Sequence, residues 1–65
     1  MPEAKFAGMT TNERLYSAGL LGSFEQAARR RDRARMIEML GKVELADQAD
    51  QISDTILANP TRYGF

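Results

Sequence analysis

Apolar residues recur at helical spacing along most of the chain, in stripes that do not share one phase. At about 100° per residue, Tyr16, Leu20, Leu21, Phe24, Ala27 and Ala28 fall within a single arc of about 140°. They predict a first helix over about 12–30, with Leu15, Gly19, Gly22, Ser23 and Gln26 on its other side. Thr10 and Glu13, three apart, fit a capping box in which each side chain satisfies a backbone N–H at the helix start.

Between Ser23 and Leu40 there is neither Gly nor Pro, so one continuous helix over about 12–41 is the competing reading. Phase argues against it. Continued unbroken, Met36, Ile37, Met39, Leu40 and Val43 would centre about 150° from the first stripe, and a dimer would be needed to cover both faces. A break near Arg31-Asp32 removes the conflict, with Asp32 as N-cap of a second helix at about 33–41 and Gly41 as its C-terminal glycine. A third helix begins within 45–48 and ends at Ala58, because Pro60 disfavours helical backbone at Asn59. Leu45, Ala49, Ile52 and Ile56 form its apolar stripe, opposite Asp47, Asp50 and Asp54.

The expected fold is therefore all-α: a small three-helix domain with short connections, as a monomer or a dimer. Residues 10–65 form the domain and 1–9, which lack periodicity and contain Pro2 and Gly8, a flexible N-terminal extension. Met9, just ahead of the capping box, reads as a natural start, with residues 1–8 an addition upstream of it. The expected core is Tyr16, Leu20, Leu21, Phe24, Ala28, Met36, Ile37, Leu40, Val43, Leu45, Ala49, Ile52 and Ile56, with Tyr63 and Phe65 folding back over the stripes.

Length changes the picture by limiting the core. A chain of 65 residues buries only about 60% of its unfolded surface, so stability is marginal and a partner is useful. Charge adds a polarity that the totals hide, since nine Lys and Arg balance nine Asp and Glu. Residues 29–42 hold six bases and two acids (+4), whereas 43–59 hold four acids and no base (−4). Such a chain can pair with itself, with a copy of itself or with a charged partner.

Candidate chemistry is sparse. With no His and no Cys, the commonest metal ligands, the neutral-pH base and the thiol nucleophile are all missing, and no Gly-rich phosphate loop is present. The expectation is a non-enzyme with no cofactor, no metal and no membrane span, in the cytoplasm. Asp47, Asp50 and Asp54 on one helix face supply too few ligands for a divalent cation and read as a solvated or partner-facing surface.

Arg29, Arg30, Arg31, Arg33 and Arg35 put five permanent cations into seven residues and are the leading candidate contact surface. Arg29, Arg30 and Arg31 complement the dipole at a helix C-terminus, whereas Arg33 and Arg35 open the next helix, where the dipole disfavours them. Gly19 and Gly22 are the second candidate: each costs about 1 kcal/mol relative to Ala inside a helix, and a side-chain-free face permits close approach by another helix or chain. The favoured reading is a small non-catalytic protein, an interaction or regulatory module that docks on a protein partner or on itself as a homodimer. The alternative is a nucleic-acid-binding accessory protein using Arg29–Arg35. Against it, no aromatic is interleaved among the arginines and the chain is neutral overall.

Overall fold

The computed structural model describes Phe6 and residues 8–65. Four α-helices follow one another, α1 (Thr11–Ser17), α2 (Leu21–Arg29), α3 (Arg33–Lys42) and α4 (Ala49–Ala58). Single 3-10 turns stand at Ala46–Gln48 and Pro60–Tyr63, and no strand occurs among the described residues. The all-α class stands, but the first predicted helix is two.

The division falls at Gly19, whose φ of +74° lies in the left-handed region that glycine enters without penalty. The Leu20 N–H donates to the Leu15 carbonyl at 2.8 Å and the Gly19 N–H to the Tyr16 carbonyl at 3.0 Å. This paired closure satisfies carbonyls that the end of a helix otherwise leaves open. The capping box at the other end of α1 is present: the Glu13 N–H donates to Thr10 Oγ1 at 3.2 Å and the Thr10 N–H to Glu13 Oε1 at 2.8 Å. Because Gly19 resets the helical phase, the inward face of α1 holds Thr11, Arg14, Leu15 and Ala18. Leu15 is fully buried and Tyr16 is 76% exposed, which reverses the sequence expectation for both.

The same paired closure ends α2 and α3, without a glycine at either. Arg31 takes the left-handed position after α2 (φ +58°), with Asp32 N–H to Ala27 carbonyl at 2.8 Å and Arg31 N–H to Ala28 carbonyl at 3.1 Å. The expected break at Arg31-Asp32 is there, and Asp32 caps α3 by accepting from the Arg35 N–H at 3.2 Å. At the end of α3 the left-handed residue is Glu44 (φ +66°), not Gly41, which lies inside the helix. Packing explains the choice. Continuing the helix past Gly41 brings Val43 into the core at 0% exposure and lays Leu45 beside Leu40. Burying Val and Leu side chains contributes roughly 1.5–3 kcal/mol each, more than the roughly 1–2 kcal/mol that a left-handed L-residue costs.

The core runs through all four helices: Leu15 from α1; Phe24, Ala27 and Ala28 from α2; Met36, Met39 and Leu40 from α3; Ala49 and Ile56 from α4. Leu20, Leu21, Ile37 and Ile52 pack at its margin, half-buried. Phe6, expected in a flexible extension, is 3% exposed within this cluster and Met9 packs against it, while residues 1–5 and 7 lie outside the described residues. Phe65 returns to the core and meets Phe24 edge-on, with ring centroids 6.5 Å apart. Tyr63 stays half-exposed.

One buried group is out of place chemically. Ser53 faces inward between Ala49 and Ile56 at 0% exposure, and its Oγ finds no hydrogen-bond partner. Burying an unpaired hydroxyl costs about 1–3 kcal/mol.

Candidate functional site

The turn from α2 into α3 divides the five predicted arginines into two groups. Arg31 and Arg33 are committed inside the chain. The left-handed backbone at Arg31 sends its guanidinium across to α4, where Nη2 donates to the Leu57 carbonyl at 3.1 Å. Arg33, the first residue of α3, donates through Nε to Asp54 Oδ1 at 2.7 Å and through Nη2 to Asp54 Oδ2 at 3.3 Å, with Asp50 at 3.6 Å. Asp50 and Asp54 stand one turn apart at the edge of the α3–α4 interface, so the acidic helix supplies the counter-charge that the dipole at the start of α3 withholds. The hydrogen bond from Arg33 holds the Asp54 carboxyl below its ordinary range.

Arg29, Arg30 and Arg35 form the second group. All three are exposed, and among the described residues none of their guanidiniums has a hydrogen bond or ion pair. Arg30 sits at the C-cap of α2 and Arg35 in the first turn of α3. The two line one polar cleft of about 270 Å³ together with Ser23, Gln26, Ala27 and Asp32. The Asp32 carboxylate in that lining is occupied by the Arg35 backbone N–H rather than by a guanidinium.

The glycines separate in a similar way. Gly19 has its own local reason, the left-handed turn between α1 and α2. Gly22 lies in the first turn of α2, exposed, with open space where a Cβ would stand, so no neighbour within the chain requires the absence of a side chain there.

Sequence reasoning passed over Arg14. Half-buried on the inner face of α1, it donates through Nε to the Met9 carbonyl at 3.1 Å and through Nη1 to the Val43 carbonyl at 3.0 Å. It thereby joins the segment before α1 to the C-cap of α3. Its partners are backbone carbonyls, one of them 29 residues away, which no side-chain pattern announces.

A broader groove of about 610 Å³ lies between the start of α1, α4 and the C-terminal turn. Hydroxyls, amides, Ile52, Ile56 and Tyr63 line it, it carries no formal charge, and it contains none of the predicted site residues. Among the described residues, no group of three or more acidic side chains is gathered as a metal cage, and no helix is long and apolar enough to cross a membrane. Compared with protein-family models, with curated proteins and with solved structures, the chain matches none.

Proposed function

We propose that this chain is a small non-catalytic interaction module that docks on another protein through the corner where α2 meets α3. The observation that carries the reading is the division of the arginines. Arg31 and Arg33 have internal roles, whereas Arg29, Arg30 and Arg35 stand exposed without partners although Glu25, Glu38, Glu44 and Asp47 in the same chain are also unpaired. Three planar, permanently charged donors on adjoining turns suit an acidic protein surface, because guanidinium binds carboxylates bidentately and is weakly hydrated. The absence of histidine and cysteine from the sequence keeps the reading non-catalytic.

The test compares proteins cross-linked to the intact chain with those cross-linked to a triple variant, Arg29→Glu, Arg30→Glu and Arg35→Glu, after circular dichroism has matched their folds. Loss of specific partners from the variant supports docking at this corner. An unchanged set of partners removes the reading. Sedimentation equilibrium of the intact chain decides whether the partner is a second copy.

A further inference from the structure

Resting on that reading, we infer that the cleft between Arg30 and Arg35 is a receptor for a single carboxylate, the side chain of an Asp or Glu on the docking partner. The cleft is built from both sides of the α2–α3 turn. Arg30 comes from the end of one helix and Arg35 from the start of the next, while Ser23 and Gln26, one turn apart on α2, add a hydroxyl and an amide. Guanidinium, hydroxyl and amide groups are all hydrogen-bond donors, and an ionised carboxylate is a pure acceptor with two oxygens to share among them. Neither guanidinium is already occupied within the chain, so an incoming carboxylate displaces no internal ion pair.

Charge matching selects the class of anion. Two guanidiniums and the Asp32 carboxylate leave the lining at +1. A carboxylate brings that to zero. A phosphate near its dianionic form overshoots it and sets a further negative oxygen against Asp32. Asp32 cannot turn away without giving up the Arg35 N–H that caps α3. The capping carboxylate therefore acts as a filter, tolerating a weak, singly charged acceptor better than a strong, doubly charged one.

The test is a titration of the intact, 15N-labelled chain at constant ionic strength with three probes: acetyl-Gly-Glu-Gly-amide, its Gln counterpart and inorganic phosphate. The expected result is saturable shifts of the Arg30 and Arg35 Nε–H and Gln26 amide signals by the Glu peptide alone, with a dissociation constant on the order of millimolar. Arg30→Gln and Arg35→Gln should each weaken binding roughly fivefold, whereas Arg62→Gln, on the C-terminal turn and outside the docking corner, should leave it unchanged. No saturation, equal shifts with the Gln peptide, equal weakening by Arg62→Gln, or tighter binding of phosphate would each overturn the assignment. Its failure is separable from that of the docking reading. Partners lost from the triple-Glu variant without peptide binding leave docking intact and the cleft unassigned, and peptide binding without partner loss does the reverse.

Discussion

Arg33 and Asp54, 21 residues apart, form the one two-pronged ion pair among the described residues, Nε to Oδ1 at 2.7 Å and Nη2 to Oδ2 at 3.3 Å. The contact ties the first residue of α3 to the middle of α4. It turns a charge polarity visible along the sequence into an internal strap, and it implies an acid-sensitive stability. The Asp54 carboxyl titrates below its ordinary value near 3.8, chiefly through the hydrogen bond from Arg33. A folded-state value below the unfolded one means that its contribution is fully present above about pH 4 and fades as the pH falls towards the folded value. Urea midpoints followed by circular dichroism should therefore decline more between pH 4 and pH 2 for the intact chain than for Asp54→Asn. Parallel declines would show that the pair does not act on stability.

Ser53→Ala should raise stability by about 1 kcal/mol, because it removes a buried hydroxyl without a partner and leaves a residue of higher helix propensity. Thermal melts of the two proteins decide this, and a lower melting temperature for the variant would reveal a bond made by Oγ.

Glu44→Gly should stabilise by about 1 kcal/mol, since Glu44 holds a left-handed backbone and its side chain makes no hydrogen bond or ion pair. For a domain of this size that is a rise of roughly 4–8 °C. Arg31→Gly relieves a similar strain but loses the bond to the Leu57 carbonyl, so its gain should be smaller. Equal melting temperatures for Glu44→Gly and the parent would refute the strain.

Leu15→Ala and Tyr16→Ala, adjacent in sequence, should diverge. The first opens a cavity at a fully buried site and costs roughly 2–5 kcal/mol, a large share of the stability available to a small domain. The second trims a side chain that is 76% exposed and should stay within about 0.5 kcal/mol. Similar denaturation midpoints for the two would contradict the phase reset at Gly19.

Should the chain prove to bind nucleic acid, the division of the arginines limits the salt dependence. With Arg29, Arg30 and Arg35 alone uncommitted at the corner, the part of the slope of log K against log salt that is lost when all three become Gln should not exceed about 3 in magnitude. A further loss of slope on adding Arg31→Gln and Arg33→Gln would require Arg31 and Arg33 to leave their contacts on α4.

Readable in the sequence were the features with a local cause. Thr10 and Glu13 announce a helix start because the capping box is closed within three residues. Asp32 and the stripe beyond it announce a break because two apolar stripes out of phase cannot share one straight helix in a monomer. Ala58 ends α4 because of Pro60. The end of the first helix is hidden in the sequence because Tyr16 falls by coincidence on the arc of Leu20 and Phe24, which disguises Gly19 as an interior residue rather than a terminator. Gly41 misleads for the opposite reason: it stands in a plausible terminating place, but the helix runs past it so that Val43 and Leu45 are buried.

The candidate corner followed the same division. Five arginines in seven residues mark the α2–α3 turn from the sequence, since their density requires no knowledge of the fold. Which of them remain available depended on the docking of α4, which placed the Leu57 carbonyl within reach of Arg31 and Asp54 within reach of Arg33. Local capping and apolar periodicity are properties of a few neighbouring residues, so helix class, the Asp32 cap and the basic corner were present in the linear chain. Burial of Leu15 in place of Tyr16, the left-handed turn at Glu44, the bridging role of Arg14 and the partnerless state of Arg30 and Arg35 arise from contacts between residues far apart in sequence, and exist only once the four helices pack.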